Sequence, residues 1–259
     1  MSSLFSLKNR TVLLTGATGY LGSAMAVGLA EAGASVVVSS RRIDQAAAIA
    51  AELPTIGDAK HCAVEMDHQE VDSLESGFQS ALTQAGKIDV LVANGHEATA
   101  ADWTTATPEQ FTRQLQNATG YFLLARLLHD HVAARAGQGG VIFLGSMYGV
   151  VGSYPDAYAG VAPASPVAYH ALKGGIIQMT RHLAIYWAKD GVRVNCLSPG
   201  PFPSDKAPAA MVENLCSHSP MGRMGRPEEL IGPLVFLASD AASYVTGQNL
   251  LVDGGWTAW

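Results

Sequence analysis

A tyrosine and a lysine four positions apart, Tyr169 and Lys173, are the side chains in this sequence best suited to transfer a proton. A helix would place both on one face, because residues four apart are neighbours on a helix surface. A phenol with a pKa of about 10 is a poor base at neutral pH, but a nearby ammonium stabilises the phenolate and lowers that pKa. Such pairs also arise by chance on amphipathic helices, so this one predicts acid–base chemistry only together with other polar groups.

Other polar residues would lie near this pair if the chain folds as a sheet of parallel strands. Ser146 follows a predicted strand, and Asn117 lies on the long predicted helix before that strand. The turn Ser198–Pro203 closes a further predicted strand. Ligands of open α/β sheets bind beyond the carboxyl ends of the strands. We therefore expect Asn117, Ser146, Tyr169 and Lys173 to converge on one rim of the sheet.

A glycine-rich turn near the start of the chain predicts a nucleotide site. Gly16, Gly19 and Gly22 lie between the first predicted strand and the first predicted helix. Glycine lets the backbone approach a phosphate without a Cβ in the way, and the helix N-terminus offers free N–H groups and a partial positive charge. The triplet could be an ordinary turn, but its place between a strand and a helix favours a dinucleotide.

The end of the second predicted strand indicates which dinucleotide binds. An acid there would accept hydrogen bonds from the ribose of NAD, but the sequence Val38-Ser-Ser-Arg-Arg42 has no acid before Asp44. Arginine forks match phosphate oxygens. We therefore expect Arg41 and Arg42 to favour NADP(H), with NAD(H) possible and a solvated basic pair as the alternative. Asp44 is expected to cap the next helix, and Asp67 could bind the adenine amino group or cap a helix.

The composition excludes several classes of protein. Of 259 residues, 48% are apolar and 15% charged, which predicts a compact globule with a large buried fraction. A net charge of −6 argues against a nucleic-acid partner, which would require a basic face. Three cysteines without metal-ligand spacing predict reduced thiols and no metal site. The sequence shows no secretory signal and no apolar run that could span a membrane, so we expect a cytoplasmic protein with no membrane partner.

Short β-branched runs alternate with longer helical patterns along the chain. The predicted strands are Thr11–Leu14, Val36–Val38, Cys62–Val64, Val90–Val92, Val141–Leu144, Val192–Leu197 and Asn249–Val252. The predicted helices are Leu21–Ala32, Gln45–Ala51, Val71–Ala85, Pro108–His131, Val167–Lys189 and Pro227–Ala238. This alternation predicts an α/β fold, a Rossmann-type doubly wound parallel sheet of about seven strands with helices on both faces in three αβα layers. We expect one domain over residues 1–259, with an irregular inserted loop at 149–166 that could be a lid or binding loop.

These segments resemble the short-chain dehydrogenase/reductase family in its compact form, over essentially the whole chain. The matching pieces are the turn Thr15–Gly22, Asp67, Val90–Gly95, Asn117, Ser146, Tyr169 with Lys173, Pro199-Gly200, and the stretch from Pro220 to Gly255. The resemblance implies hydride transfer between a nicotinamide coenzyme and a carbonyl compound or alcohol. It also implies a homotetramer or homodimer.

The resemblance implies a role for each matching residue. Tyr169 would be the general acid/base, Lys173 would bind the nicotinamide ribose and lower the pKa of Tyr169, and Ser146 would orient the substrate oxygen. Asn117 would hold a water in the proton relay, and the backbone around Pro199–Phe202 would hold the carboxamide. The predicted nucleotide contacts are Gly16, Thr18, Gly19, Tyr20, Leu21, Ser40, Arg41, Arg42, Asp67, His68, Asn94, Gly95, Tyr169, Lys173, Pro199, Gly200 and Phe202.

Three departures from the family pattern keep other functions open. Gly19 is one position early, a spacing typical of the extended relatives that include epimerases and dehydratases. The usual Asn-Asn-Ala-Gly reads Ala93-Asn-Gly-His96, and 23 positions separate Ser146 from Tyr169, more than is usual for the family. A non-catalytic NADP-binding protein is a further alternative, although such a protein needs no proton relay.

The polar residues around the inserted loop indicate a substrate class. Hydroxyl-rich recognition would suit a sugar, sugar acid or polyol as the small-molecule substrate. The ending Val252–Trp259 weakly resembles gluconate 5-dehydrogenase-like members, which points the same way. The alternative is that the loop only packs against a neighbouring subunit. The predicted substrate contacts are His96, Ser146, Tyr148, Tyr154 and Tyr158.

Overall fold

A seven-stranded parallel sheet forms the centre of the protein in this computed structural model, which describes residues 3–98 and 101–258. The strands are β1 Thr11–Thr15, β2 Ser35–Ser40, β3 Cys62–Glu65, β4 Val90–Ala93, β5 Gly139–Leu144, β6 Val192–Pro199 and β7 Asn249–Val252. Their order is β3-β2-β1-β4-β5-β6-β7, and every neighbouring pair is parallel. The order reverses between β1 and β4, which is where an open sheet of this kind forms a crevice for ligands.

Helices cover both faces of the sheet. They are α1 Tyr20–Glu31, α2 Ile43–Glu52, α3 Val71–Ala85, α4 Pro108–Ala134, α5 Pro155–Tyr158, α6 Val167–Trp187, α7 Ala209–His218 and α8 Ile231–Ala238. One core cluster joins the sheet to α3, α4 and α6, and a second joins it to α1, α2 and α8. The predicted three-layer, doubly wound fold is therefore confirmed. Within the described residues, no helix has the combined length and apolar character needed to cross a bilayer.

Local signals fix the ends of the two long helices. Thr107 caps α4: its side chain accepts from the backbone N–H of Gln110, and the Gln110 side chain accepts from the backbone N–H of Thr107. Pro108 is the first helical residue, where its missing N–H costs nothing. The short 3-10 turn after α6 ends at Gly191, whose φ of 79° lies in the left-handed region that glycine adopts readily. Each of these signals is present in the sequence.

The predicted cap at Asp44 was wrong, and so was the alternative reading of Asp67 as a helix cap. Asp44 does not cap α2, because Arg42 occupies the capping position and Asp44 lies in the first turn, where its charge still favours the positive helix end. Asp67 does not cap α3, since that helix begins after Glu70. The Asp67 carboxylate accepts instead from the backbone N–H of Gln69, 3.0 Å away, in a local turn.

The segment 149–166, expected to be irregular, contains the short helix α5 and packs against α7, a helix that the sequence patterns did not predict. Ala157 of α5 and Leu215 of α7 are buried together with Trp256 in a third, smaller core cluster. The inserted loop is therefore tied to the body of the protein at its middle.

One prediction concerns the packing of α4 against the backbone at His68, in the segment after β3. A Cβ at Gly120 would lie 2.0 Å from the backbone oxygen of His68, so Gly120→Ala forces the helix and that segment apart. We expect the substitution to lower the free energy of unfolding by roughly 1–3 kcal/mol, the usual cost of overpacking. Urea unfolding followed by circular dichroism measures it.

The matched control is Gly175→Ala in α6, where a Cβ meets nothing within 4 Å. Because alanine favours a helix over glycine by about 0.5–1 kcal/mol, this variant should be slightly more stable than the wild type. Equal effects of the two substitutions would contradict the packing argument.

Candidate active site

A groove with a cavity volume of about 350 Å³ runs along the carboxyl ends of β1, β2 and β4. It contains many of the residues predicted to contact a nucleotide. The predicted contacts outside its lining are Arg42, Asp67, Tyr169, Lys173, Pro199, Gly200 and Phe202, and the lining residues that were not predicted as nucleotide contacts are Thr15, Gly22, Ser39, Met66 and His96. The predicted contacts that line the groove are Gly16, Thr18, Gly19, Tyr20, Leu21, Ser40, Arg41, His68, Asn94 and Gly95.

The glycine turn packs tightly against the segment after β4. Gly16 has a φ of 64°, and a Cβ there would lie 2.8 Å from Gly95 Cα. A Cβ at Gly22 would lie 2.1 Å from the Gly16 carbonyl oxygen. The Asn94 side-chain amide donates to the carbonyls of Thr15 and Gly16 at 3.2 and 3.0 Å. A side chain at either glycine would therefore clash with the backbone that forms the turn, so the turn depends on both glycines.

The first helix presents its N-terminus to the same groove. Gly19 is its cap residue and makes no side-chain capping hydrogen bond, and the first turn of α1 carries no acid. The N–H groups at this end and the positive end of the helix dipole suit the pyrophosphate of a dinucleotide. The residues present therefore fit such a coenzyme.

Arg41 lines the groove, and its guanidinium lies close to the carboxylate of Glu97. Its Nη1 lies 3.5 Å from Glu97 Oε2, while Arg113 binds the same carboxylate with two hydrogen bonds of 2.7 and 3.0 Å. The Arg41 side chain is 59% exposed, so it is only loosely held. Because Arg113 neutralises Glu97, Arg41 keeps the capacity to bind a phosphate.

A second cavity of about 350 Å³ lies beside the groove. Ser146, Tyr148, Tyr158, Tyr169 and His96 line it, as do Gly200 and Phe202 from the turn after β6. The predicted substrate residue Tyr154 lies outside it, where it stacks on His218 at 4.1 Å and contacts the edge of Trp256. Sequence reasoning missed several residues of this lining because they come from the unpredicted α7, from α4 and from loops: Ala98, Gln114, Met147, Ser165, Pro166, Pro201, Pro203, Met211 and Leu215.

Tyr169 stands at the first turn of α6, facing Ser146. Burial raises the pKa of Tyr169, because the phenolate would lose its hydration, and a hydrogen bond with Ser146 partly offsets this effect. Ser146 itself is buried and accepts from the backbone N–H of Tyr148 at 3.1 Å. The sequence predicted that Lys173 would lower the pKa of Tyr169. In the structure the pKa of Tyr169 is raised instead, because burial is the largest effect.

Lys173 lies one helical turn further along α6 and is buried. Its Nζ donates to the carbonyl oxygen of Leu144 at 2.7 Å and lies 5.5 Å from the centre of the Tyr169 ring. Burial lowers the pKa of Lys173 to about 8, which still leaves the ammonium as the main form at neutral pH. The i, i+4 spacing has therefore brought a cation close to the phenol.

Asn117 acts on the loop after β4 rather than on Tyr169. Its Oδ1 accepts from the backbone N–H of Glu97 and from Nε2 of His68, both at 2.8 Å. Its Nδ2 donates to the carbonyls of Glu97 and Gln114 at 3.1 and 2.8 Å. The amide oxygen and the amide nitrogen of Asn117 therefore each have two partners. The water expected at Asn117 would have to be held by the backbone groups of that residue.

His96 lines both the groove and the second cavity. Its ring meets that of Tyr169 edge-on with 5.4 Å between centres, and Nε2 of Gln114 donates to its Nε2 at 2.6 Å. Burial, with the nearby Lys173 ammonium, lowers the pKa of His96 to about 3. His96 is therefore neutral at physiological pH, with one nitrogen engaged by Gln114.

Known proteins match this chain over nearly its full length. A family model described as Enoyl-(Acyl carrier protein) reductase matches residues 16–257. The cis-4-hydroxycyclohexanecarboxylate dehydrogenase of Sinomonas cyclohexanicum is 34% identical, covering 96% of this chain and 97% of its own. The NADP-dependent mannitol dehydrogenase of Alternaria alternata is also 34% identical, covering 99% and 95%.

Solved structures agree with the fold in detail. A short-chain type dehydrogenase/reductase from Mycobacterium marinum has a TM-score of 0.89 at 30% identity and covers 100% of both chains. A gluconate 5-dehydrogenase from Burkholderia cenocepacia, solved in complex with NADP and tartrate, has a TM-score of 0.87 at 30% identity, covering 99% of this chain and 98% of its own.

The neutral state of His96 makes a prediction about acid stability. Its pKa in the folded protein is about 3, below the ordinary value of 6.5 that the unfolded chain would have. The unfolded state therefore binds the proton more tightly, and stability falls as the pH drops through that window. Between pH 7 and pH 5 His96 should cost the wild type up to about 2 kcal/mol of unfolding free energy.

The variant His96→Asn should lose less stability over the same interval. Urea unfolding of both proteins at the two pH values measures the effect. The comparison at pH 7 gives the purely structural cost of the substitution and serves as the control. Parallel losses of stability in the two proteins would show that His96 does not resist protonation.

Proposed function

The chain belongs to the short-chain dehydrogenase/reductase family and is an oxidoreductase, and from this premise we propose that it interconverts a small carbonyl compound and its alcohol with NADP(H) as coenzyme. The observation that carries the proposal is the junction of the two cavities. His96 lines both, and Tyr169 and Ser146 stand beside it with Lys173 behind them. A coenzyme in the groove and a substrate in the second cavity would meet at the phenol.

The groove would hold the dinucleotide along its length. The turn at Gly16–Gly22 and the N-terminus of α1 would bind the pyrophosphate, and Gly200 and Phe202, which line the second cavity, would lie near the nicotinamide end. A bound nicotinamide would supply the hydride acceptor or donor. Arg41 supports NADP(H) over NAD(H), because its exposed guanidinium lines the groove and suits an additional phosphate.

The proton chemistry would fall to Tyr169. Since its pKa is raised, the phenol is protonated at neutral pH and can donate to a carbonyl oxygen as that oxygen gains charge. Ser146 would hold the same oxygen by a hydrogen bond. The Lys173 ammonium would stabilise the phenolate that remains. In the direction of alcohol oxidation Tyr169 would have to lose its proton before it could accept one from the alcohol.

The substrate class that the site supports is a hydroxyl-bearing molecule: a sugar, a sugar acid or a polyol. Two features favour it. The cavity offers several hydroxyl groups, among them the Tyr148 and Tyr158 pair at 2.6 Å. Several relatives are named for such substrates, including mannitol and gluconate.

The setting of the enzyme is also a proposal: a homotetramer or homodimer in the cytoplasm. Ile185 and Tyr186 on α6 are 78% and 61% exposed, which supports a subunit contact on that helix. The cysteines Cys62, Cys196 and Cys216 are free, which supports a reducing compartment. Light scattering on the purified protein would measure the number of subunits.

The proton-transfer role of Tyr169 predicts the behaviour of Tyr169→Phe. Removing the hydroxyl keeps the ring packing, so coenzyme affinity measured by fluorescence titration should stay within a few-fold of wild type. The turnover number should fall by about 10²–10⁴, the usual contribution of a general acid/base. Steady-state coenzyme absorbance with the accepted substrate measures the fall.

The matched control is Tyr154→Phe, which removes a phenol outside the cavity and should leave the turnover number near wild type. Activity of Tyr169→Phe close to wild type would contradict the proposed mechanism. Product formation without net change in coenzyme redox state would instead favour an epimerase or dehydratase.

The role of Arg41 predicts a coenzyme-selective defect in Arg41→Gln. Loss of charge-assisted hydrogen bonds to a phosphate costs about 1.5–3 kcal/mol, so NADPH should bind about 10–100-fold more weakly while the affinity for NADH changes little. Arg42→Gln is the control, since Arg42 lies outside the groove lining and its loss should be smaller. Equal weakening of NADPH and NADH in Arg41→Gln would exclude the phosphate contact.

A further inference from the structure

The second cavity has hydroxyl, amide and imidazole groups set in a largely apolar lining, and its described lining residues carry no positive charge. Among the described residues that line it, none is a lysine or an arginine. Its polar groups are the hydroxyls of Ser146, Tyr148, Tyr158, Ser165 and Tyr169, the amide of Gln114 and the imidazole of His96. We infer, on the basis of the proposed function, that this cavity selects an uncharged, hydroxyl-bearing substrate, such as a polyol, ketose or cyclic diol, over the corresponding carboxylate.

A carboxylate would pay more to enter this cavity than an alcohol. An ionised group loses its hydration on burial, and that loss is recovered only by a cation or by several well-placed donors. A neutral substrate hydroxyl, in contrast, exchanges its hydrogen bonds with water for hydrogen bonds with the hydroxyls and amides of the cavity, and so loses little free energy on entry. The preference for an alcohol over a carboxylate therefore follows from the lack of a lysine or arginine among the described residues of the lining.

The histidines near the cavity do not supply the missing cation. His96 is held in its neutral form by burial and by the Lys173 ammonium, and Gln114 donates to it. His170 stacks on Tyr148 at 4.6 Å, with its Nε2 against Ser165, and burial lowers its pKa as well. A neutral imidazole can exchange one hydrogen bond with a hydroxyl but cannot balance a carboxylate charge.

The other nearby basic side chains already have partners. His218 lies outside the lining, and its Nε2 is 3.2 Å from the carboxylate of Asp156. Lys173 is buried behind Tyr169 and donates to the Leu144 carbonyl. Arg113 is bound to Glu97 by two hydrogen bonds. None of the three is directed at a substrate carboxylate without first giving up an existing partner.

The remaining walls suit the carbon skeleton of such a substrate. Met147, Phe202, Met211 and Leu215 line the cavity with apolar surface. The Tyr148 and Tyr158 hydroxyls, 2.6 Å apart, and the His96–Gln114 pair, 2.6 Å apart, are two polar groups at which hydroxyls could exchange hydrogen bonds. Polar groups that are paired before binding keep their geometry and can accept a further neutral partner.

The first experiment compares matched compounds in which a carboxylate replaces one neutral alcohol group. D-glucitol is paired with D-gluconate, and 1,4-cyclohexanediol with 4-hydroxycyclohexanecarboxylate. The oxidation rate of each is measured with the wild-type enzyme and NADP⁺. In each pair that the enzyme oxidises, we expect kcat/KM to be at least tenfold higher for the uncharged compound than for the carboxylate. An equal or higher value for the carboxylate would overturn the inference.

The second experiment adds the missing charge. Met211→Lys places an ammonium on the cavity wall, and Met211→Gln is the control of similar length without charge. The lysine variant should shift the ratio of kcat/KM at least fivefold toward the carboxylate, and the glutamine variant should not. A similar shift in both variants would show that wall shape, not charge, sets the preference.

Calorimetry separates this inference from the proposed function. The four compounds are titrated into wild-type enzyme saturated with NADPH, a state in which an alcohol cannot be oxidised. Absence of turnover with every compound would count against the proposed function. Binding of the uncharged member at least tenfold tighter than its partner would still support the inference, whereas tighter binding of the carboxylate, or no binding of any of the four, would overturn it.

Discussion

The segment after β4, residues 94–97, is held from two sides, and both cavities depend on it. Thr15 Oγ1 accepts from the backbone N–H groups of Asn94 and Gly95 at 3.0 and 2.9 Å. The Asn117 side-chain amide accepts from the backbone N–H of Glu97 and donates to the backbone carbonyl of Glu97. This places His96 where the nucleotide groove and the substrate cavity meet. A change in either anchor would therefore move the two sites together.

Burial is the second constraint, and it acts in the same sense on Tyr169, Lys173 and His96. It raises the pKa of Tyr169 and lowers the pKa of Lys173 and of His96, so each is moved toward its neutral form. The Leu144 carbonyl supports the Lys173 ammonium against this tendency. A protonated phenol next to a retained ammonium is the arrangement that carbonyl reduction needs.

The parts of the site that the sequence predicted are those fixed by position along an element. Ser146 follows a strand, and Tyr169 and Lys173 share one helix face, so their meeting follows from strand direction and helical spacing. The contacts of Asn117 with His68 and Glu97, the position of Tyr154 outside the pocket and the addition of Gln114 depend on contacts between segments separated in the chain. The cap expected at Asp44 and the cap considered as an alternative at Asp67 are absent because several residues near a helix start could serve, and spacing alone does not choose among them. Helix α7 follows a proline-rich turn and buries only Leu215 of its ten residues, so its sequence carries little periodic signal.

The inserted segment contributes to the lining of the second cavity but supplies none of the groups proposed to react. Ser146 precedes a short 3-10 turn after β5, and Tyr169 lies on α6, so both positions proposed to react lie outside the insertion. Between them the chain is free to lengthen, and its middle is anchored where Ala157 packs against α7. Tyr158 and Ser165 of the insertion, together with residues of α7, then form the wall of the substrate cavity. Because the reacting groups come from the sheet rim and the wall comes from these two segments, substitutions in the wall can alter substrate preference without disturbing the phenol or the ammonium.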